Sequence, residues 1–423
     1  MRGANNRTVK SMNRTAALQY IRKQGQASRA DIAAYTRLSF TAVKNMIDEL
    51  VSYRLIGEVG YDESSGGRKP LLYKLKADRF YAIGLHLSVS RIHVAVLDLE
   101  GRVHAHYETA TDQDKLRSDA IVLQLIGCIE EAIRLSDVDR GLILGIGLAI
   151  PGPLDPFEGV VLSPPNMQGL AGVPLKRRIA DHFGIAAFIE KDADLIALGE
   201  YWHGAARGKQ NVFYLDADIG IGSGMIFGGQ LHHGSPYGAG EVGHGTIHLD
   251  GPRCNCGNYG CLEAVASGIA IERRAGEELR RGADAPYRES YLADEKSVSL
   301  YTILEEAGAG NGSGDGDALS KQLLLESARY VGIAVGNVVH LLMPEIVIIG
   351  GTLPYAYPPY FEHARDIALN RIFAAFSDKV RIVKAELGML GGAIGAGTLV
   401  LEHFFAKDVS EWADMEPPLQ VQQ

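Results

Sequence analysis

The residues best suited to chemistry lie in one short stretch, 240–267, which reads GEVGHGTIHLDGPRCNCGNYGCLEAVAS. It contains three of the four cysteines, Cys254, Cys256 and Cys261, with His244 ten residues ahead of the first. Three thiolates and one imidazole form a donor set typical of a closed, tetrahedral zinc site. We therefore predict one structural Zn²⁺ per chain, bound by these four side chains. The alternative, three clustered free cysteines, is disfavoured by the number and spacing of the ligands together.

The composition limits the class of protein. Of 423 residues, 46% are hydrophobic and 22% are charged, which is typical of a soluble chain with two or three domains. We recognise no N-terminal signal peptide and no apolar run of membrane-spanning length. Clustered cysteines without a disulfide framework fit a reducing compartment. We expect a cytoplasmic protein without a membrane partner.

The charge is distributed unevenly along the chain. Residues 1–76 contain 14 Lys and Arg against 6 Asp and Glu, a net charge of +8, whereas the whole chain carries −9. The remainder therefore carries −17. A basic head on an acidic body indicates a nucleic-acid-binding module joined to a second function.

The head has the residue pattern of a winged helix-turn-helix. Helix-like segments are followed by strand-like segments at 13–24, 29–36, 40–53, 55–61 and 71–75. Ser28 is a suitable N-cap for the second helix, and a Gly- and Ser-rich loop joins the two strands as a wing would. Two short helices, a turn, a third helix and a wing are the elements of this DNA-binding fold.

The third helix would enter the major groove, while the wing would contact phosphates or the minor groove. The predicted DNA contacts are Ser39, Thr41, Ala42, Lys44 and Asn45 at the start of the helix, and Arg68 and Lys69 on the wing. The alternative is a helical protein-interaction module with incidental charge. Charge, helix order and wing agree with one another, which favours DNA.

From Phe80 onward, strand-like and helix-like segments alternate. The strand-like segments are 81–87, 92–97, 103–109, 142–150, 186–190, 212–215 and 346–349, and the longer helices are 120–135, 175–183 and 319–343. This alternation predicts an α/β fold with largely parallel sheets.

Several motifs together resemble the ROK family (repressors, open reading frames and sugar kinases), specifically its repressor branch that responds to xylose, N-acetylglucosamine or glucose. The motifs are GLAIPGP at 147–153, SPPN at 163–166, EKDA at 190–193, the cysteine stretch, and PEIVIIGG at 344–351. The most specific is GEVGH followed by CxCGxxGCxE. The resemblance covers nearly the whole chain.

The resemblance implies an actin-like, ribonuclease H-like body of two lobes with a sugar in the cleft. The expected units are a winged head at 1–78, a body at 79–405 and a mobile tail at 406–423. Lobe one would comprise about 79–190 and 391–405, and lobe two about 191–390.

The resemblance also assigns a sugar site. The implied contacts to sugar hydroxyls are Asn166, Asp192, Glu241, His244 and Glu263. Asp192 occupies the general-base position of the family's kinases, and Lys191 stands where the family has asparagine. Zinc on one nitrogen of His244 would direct the other into the cleft. Lys191 indicates either a ligand with an acidic group or a salt bridge to a neighbouring carboxylate.

The nucleotide site departs from the family's kinases. Their first strand ends in Asp-x-Gly-Gly-Thr, whereas here His86 replaces the aspartate and neither glycine follows. Their second phosphate loop, Gly-Thr-Gly-Ile-Gly, reads Asp-Ile-Gly-Ile-Gly at 218–222. Asp218 would place a carboxylate beside the phosphates, so we assign no catalytic residue. The alternative is a loop that still holds ATP through its backbone N–H groups.

These patterns together predict a sugar-responsive transcriptional regulator, with a repressor of carbohydrate-utilisation genes favoured. It would bind a palindromic operator as a homodimer or homotetramer. One alternative is an ATP-dependent sugar kinase with an accessory DNA-binding head, which Asp192 keeps open. Another is a repressor controlled by a protein partner instead of a free sugar.

Overall fold

A computed structural model describes residues 6–61, 70–112, 114–117, 120–162, 164, 167–235, 238–308 and 316–406, with side chains from Val9 onward. The helices are α1 (Asn6–Gln24), α2 (Arg29–Thr36), α3 (Phe40–Ser52), α4 (Ala120–Ser136), α5 (Leu175–Phe183), α6 (Asp192–His203), α7 (Leu262–Ala266), α8 (Gly268–Arg280), α9 (Arg288–Ala293), α10 (Leu300–Glu306), α11 (Ala318–Leu342), α12 (Thr352–Ala356), α13 (Pro358–Leu369) and α14 (Gly391–Ala406). The strands are β1 (Ala27–Ser28), β2 (Ile56–Tyr61), β3 (Leu71–Leu75), β4 (Tyr81–Leu87), β5 (Arg91–Asp98), β6 (Val103–Ala110), β7 (Ile143–Ile150), β8 (Leu154–Asp155), β9 (Val160–Val161), β10 (Ala187–Lys191), β11 (Val212–Ala217), β12 (Ile221–Phe227), β13 (Gln230–Leu231), β14 (Ile346–Gly350) and β15 (Arg381–Lys384).

The head consists of α1–α3 and an antiparallel sheet of order β1-β3-β2. Ser28 caps α2, since its Oγ accepts the Asp31 N–H at 3.2 Å and Asp31 Oδ2 accepts the Ser28 N–H at 2.9 Å. The predicted order of elements is confirmed. The head also contains β1, which was not predicted, and α1 begins at Asn6 instead of residue 13.

Two five-stranded sheets form the body, in the orders β10-β7-β4-β5-β6 and β13-β12-β11-β14-β15. Each sheet contains two parallel and two antiparallel pairings, so the prediction of largely parallel sheets is wrong. The reason is that turns of a few residues join β4, β5 and β6, and such short connections permit only antiparallel pairing. The α/β class and the two-lobed, actin-like arrangement are confirmed.

Helices α6 and α14 pack on each other between the sheets. α14 contacts β4 and β7 of the first sheet, whereas α6 contacts β11 and β12 of the second. Glycines permit this close approach: a Cβ on Gly84 or Gly147 would overlap a backbone carbonyl of α14, and one on Gly395 would overlap a carbonyl of α6. The packing fixes α6, whose first residue is Asp192 at the end of β10.

α14 also bears on the expectation that no segment is apolar enough to span a membrane. By length and composition, the segment Gly388–Ala406 is apolar enough to span a membrane. However, 67% of its most apolar stretch is buried inside the protein. Its apolar character follows from its central position between the two sheets.

The hydrophobic core of the head continues into the body. One cluster joins head residues such as Leu18 and Tyr73 to Phe404 and Phe405 at the end of α14. The Arg22 guanidinium of α1 lies 4.0 Å from the centre of the Trp202 ring on α6. A cation over an indole face is attractive, so α1 is attached to both central helices.

Replacement of Gly147 by alanine is expected to destabilise the protein, because the added methyl group overlaps the Ala396 carbonyl oxygen. We expect a loss of about 2 kcal/mol or more in the free energy of unfolding. The matched control is Gly127→Ala on α4, where a Cβ meets no atom within 4 Å. That variant should gain up to about 1 kcal/mol from helix propensity. Equal urea midpoints for the two variants would contradict the packing argument.

Candidate functional site

The cysteine stretch folds into a compact cluster. The ligand atoms of His244, Cys254, Cys256 and Cys261 all lie within 4.8 Å of one another. His244 Nδ1 is 3.7 Å from Cys254 Sγ, and Cys256 Sγ is 3.7 Å from Cys261 Sγ. The structure therefore brings together all four predicted metal ligands.

Tight backbone turns hold this cluster. The Cys254 N–H donates to the Asn258 carbonyl at 2.8 Å, and Thr246 pairs with Cys261 as an antiparallel bridge. Gly260 has a φ of +64° and lies against the His248 carbonyl, so a side chain there would be excluded. The cluster is thus built by turns that glycine alone accepts.

The cluster fits a thiophilic metal ion. Burial raises the pKa of the Cys261 thiol to about 12, so without a cation this thiol would stay protonated at neutral pH. A bound metal deprotonates a coordinating thiol outright. Three sulfur donors and one nitrogen converging from turns form a group that could bind such an ion.

A cavity of about 190 Å³ lies between the lobes, beside the cluster. Asp192, Glu241, His244 and Glu263 all line it. The structure therefore brings four of the five implied sugar contacts together, although they lie far apart in the sequence. Asn166 is outside the described residues.

Lys191 lines the same cavity and is held by acceptors from two segments that are distant in the sequence. Its Nζ donates to the Ala239 carbonyl at 2.7 Å and lies 3.3 Å from Glu241 Oε1 and 3.5 Å from Asp194 Oδ2. Of the two interpretations of Lys191, the structure contains the salt bridge. Sequence reasoning missed Asp194, which lies in the first turn of α6, three residues after Lys191.

Three aspartates form the floor of the cavity. Loss of solvent raises the pKa of both Asp192 and Asp218. The same effect raises the pKa of Asp216 to about 8. The Asp218 charge raises the pKa of Asp216 further, while the Tyr214 hydroxyl donates to Asp216 Oδ1 at 2.7 Å. Asp216 was not singled out in the sequence, because it lies within an apolar strand.

The Gly-rich loop after β11 already uses two of its backbone donors. The Ile219 N–H donates to Asp218 Oδ1 at 2.7 Å, and the Ile221 N–H donates to Glu263 Oε2 at 3.2 Å. His86 lies against Gly392 in the first turn of α14, where an added Cβ would overlap its ring. Burial lowers the pKa of His86 to about 4, so the imidazole is neutral near pH 7.

The head presents an exposed helix face. Thr41, Ala42, Lys44 and Asn45 of α3 are all exposed, and Ser39 caps this helix by accepting the Ala42 N–H at 3.3 Å. The described part of this face also contains Asp48, which sequence reasoning missed. Its carboxylate lies 3.2 Å from Arg29 and 3.9 Å from Lys44. Arg68 and Lys69 of the wing are outside the described residues.

Three features characterise this protein: a two-lobed α/β body with an acidic cleft, a Cys₃His cluster and a helix-turn-helix head. The sequence model of the ROK family matches residues 82–403. The chain belongs to the ROK family.

Known proteins similar to this chain include both regulators and kinases. The xylose repressor of Caldicellulosiruptor bescii is 30% identical over 401 residues, which cover 94% of this chain and 97% of that protein. A solved ROK family transcriptional regulator, a homologue of the E. coli MLC protein, has a TM-score of 0.75 at 24% identity and covers 94% of this chain and 97% of its own. The ROK hexokinase from Thermus thermophilus has a TM-score of 0.60 at 29% identity and covers 77% of this chain and 100% of its own.

The raised pKa of Asp216 predicts a pH dependence of stability. Because the folded pKa of about 8 exceeds the ordinary value of 3.8, the folded state binds the proton more tightly. This contribution is fully present below the unfolded pKa and is lost as the pH rises through the folded pKa. Asp216→Asn should therefore reduce the fall in melting temperature between roughly pH 4 and pH 8, the interval between the two pKa values.

The matched control is Asp284→Asn, the same change on an exposed surface of the body. It should leave the pH profile of the melting temperature as it is in the wild type. If the pH profile of Asp216→Asn coincided with those of the wild type and of Asp284→Asn, the raised pKa of Asp216 would be contradicted.

Proposed function

We propose that this protein is a sugar-responsive transcriptional repressor. The observation that carries the proposal is the physical union of its two parts: a helix-turn-helix head shares one hydrophobic core with a body whose cleft gathers Asp192, Glu241, His244 and Glu263. The xylose repressor relative aligns over both parts, at 94% of this chain. The protein would act in the cytoplasm on carbohydrate-utilisation genes.

DNA would be contacted by the exposed face of α3 and by the wing. Thr41, Ala42, Lys44 and Asn45, with Ser39 at the cap, would reach base edges in the major groove. Arg68 and Lys69 would bind phosphates or the minor groove. Two heads of a homodimer, or of a homotetramer built from dimers, would match a palindromic operator.

The sugar would be held by hydrogen bonds in the inter-lobe cavity. Carboxylates accept from neighbouring hydroxyls, and the amide of Asn166 both donates and accepts. Asp192, Glu241 and Glu263 would take the accepting roles. His244 would contact the sugar with the ring nitrogen that faces away from Cys254.

The cluster beside the cavity would hold one structural Zn²⁺ through His244, Cys254, Cys256 and Cys261. When bound, the ion would fix the orientation of the imidazole and contribute folding free energy. Its role would be structural, since four protein ligands leave no open coordination position.

Helix α6 supplies a route from the sugar to the head. It begins at Asp192 in the cavity and contains Trp202, on which Arg22 of the head stacks, about 15 Å further along at 1.5 Å per residue. A sugar that binds the closed lobes better than the open ones would shift α6 and therefore the head. Operator affinity would change through this differential binding.

A sugar kinase is the alternative, and Asp192 together with the hexokinase likeness favours considering it. The elements of this chain that would have to bind the phosphates of ATP argue against a kinase. Carboxylates accept the N–H groups of Ile219 and Ile221, while His86 covers the first turn of α14. A polyanion would meet acceptors where it needs donors. Sustained release of ADP that depends on Asp192 would overturn this part of the proposal.

The experiment that tests the proposal is a gel-shift titration with an operator selected from random duplex DNA. We expect the selected site to be palindromic and its affinity to change on addition of a sugar. Lys44→Ala or Asn45→Ala should alter the base preference at one position per half-site, worth roughly 1–3 kcal/mol. Lys296→Ala, which removes a charge from an exposed position of the body, is the control.

A selected pool without enriched sequence would refute DNA recognition. An operator affinity that ignored every sugar would refute the inducer role. In that case a pull-down from cells grown on different carbon sources would test control by a protein partner.

Metal analysis tests the zinc site. We expect one zinc ion per chain in freshly purified protein, and its loss in Cys261→Ser together with a melting temperature lower by about 5 °C or more. Cys128→Ala, a buried cysteine of α4 outside the cluster, should retain the metal. Metal-free wild-type protein, or unchanged metal content in Cys261→Ser, would contradict the site.

A further inference from the structure

The inter-lobe cavity has an uneven charge. Among its described lining residues are five acidic side chains, one lysine, Lys191, and two histidines, His86 and His244. The acidic residues are Asp192, Asp216, Asp218, Glu241 and Glu263. Whether the cavity can bind an anionic ligand therefore depends on whether the positive charge of Lys191 is free to pair with that ligand.

Lys191 is already neutralised. Its three ammonium protons face three acceptors: the Ala239 carbonyl at 2.7 Å, Glu241 Oε1 at 3.3 Å and Asp194 Oδ2 at 3.5 Å. Its side chain is only 10% exposed, and its stem lies against Gly152, where an added Cβ would be 3.2 Å from Cδ. Two carboxylates and a carbonyl leave no free donor for an incoming anion.

Two other features of the described lining that attract anions are occupied as well. The N-terminus of α6 would favour an anion, but Asp192 Oδ1 accepts the Ala193 N–H there at 2.7 Å. In the Gly-rich loop, the Ile219 and Ile221 N–H groups donate to Asp218 and Glu263. The chain thus satisfies with its own carboxylates the donors that a phosphate would use.

We propose that the cavity selects an uncharged monosaccharide and rejects sugar phosphates and sugar acids. The inference rests on the proposed function, in which this cavity is the sugar site. Hydroxyl groups suit such a lining because they donate to carboxylates without adding charge. A phosphate or carboxylate would bring a like charge beside Glu241 and Glu263 and find no partner for it.

A metal in the neighbouring cluster would not reverse this selectivity. Three thiolates outweigh the charge of one divalent ion, so the loaded cluster carries a net charge of −1. Proton uptake by the floor aspartates would lower the repulsion, yet it would supply no cation. Under either condition the cavity offers acceptors to hydroxyls and repels anions.

Lys191 has a positioning role in this arrangement. It joins Asp194 at the start of α6 to Glu241, which lies ahead of the Cys₃His cluster, and so holds the Glu241 carboxylate at the cavity wall. Asp194 itself is buried behind Lys191 and does not line the cavity. Removing the charge of Asp194 would therefore return positive charge to Lys191 without altering a ligand contact.

The test is calorimetric titration of the full chain with matched sugars. The panel comprises D-xylose with D-xylonate, glucose with glucose 6-phosphate and glucuronate, and N-acetylglucosamine with its 6-phosphate. For the sugar that binds, we expect the uncharged member to bind at least about tenfold more tightly than its charged partner. The ratio should fall as salt is raised from about 50 to 500 mM, because added salt screens the repulsion.

Asp194→Asn should reduce the ratio of the affinity for the uncharged sugar to that for its charged partner severalfold. The reduction should come mainly from tighter binding of the charged partner. Its control is Asp181→Asn, the same change at an exposed residue of α5 paired with Arg177, which should leave the ratio unchanged. If Asp194→Asn does not fold, the salt dependence of the wild-type ratio tests the same electrostatic selectivity.

The outcomes separate this inference from the proposed function. Tighter binding of a sugar phosphate or sugar acid than of its uncharged parent overturns the inference and leaves a sugar-responsive protein. The inference is also overturned if the affinity ratio changes neither with salt concentration nor in the Asp194→Asn variant. Binding of neither class at millimolar concentration overturns both.

Discussion

The close packing of α14 against the first sheet and against α6 is the constraint on which the rest of the structure depends. Glycines at 84, 147 and 395 bring helix and strand backbones closer than any side chain allows. This contact holds the two sheets at a fixed separation and places the first residue of α6 in the lining of the cleft. The geometry of Asp192 is therefore set by residues distant from the ligand.

The cleft shows how a site can keep its shape while its electrostatics change. Its glycines still form a loop after β11 and a helix start at Gly391, which are features of a phosphate site. Asp218 and Glu263 nevertheless accept the loop's N–H groups. Carboxylates that accept these N–H groups stabilise the conformation of the loop from within. The same backbone therefore presents negatively charged side chains where a phosphate site presents free donors.

Much of this arrangement was predictable from the sequence, and the limits have physical reasons. The four residues of the Cys₃His cluster were predicted to lie together because cysteine and histidine have few other roles at such spacing. The capping of α2 by Ser28 was found because caps are local. In contrast, the antiparallel half of each sheet and the partners of Lys191 depend on contacts between distant segments. Periodicity does not contain that information, and β1 is too short to produce a periodic signal.

The shared core of head and body has a consequence for how such a protein can arise or be divided. Val400, Phe404 and Phe405 end the last helix of the body, yet they are covered by residues of the head. A body produced alone from residue 79 would present this apolar surface to water and would tend to aggregate. Head and body therefore depend on each other to bury this surface, and a different head joined to this body would have to match the end of α14.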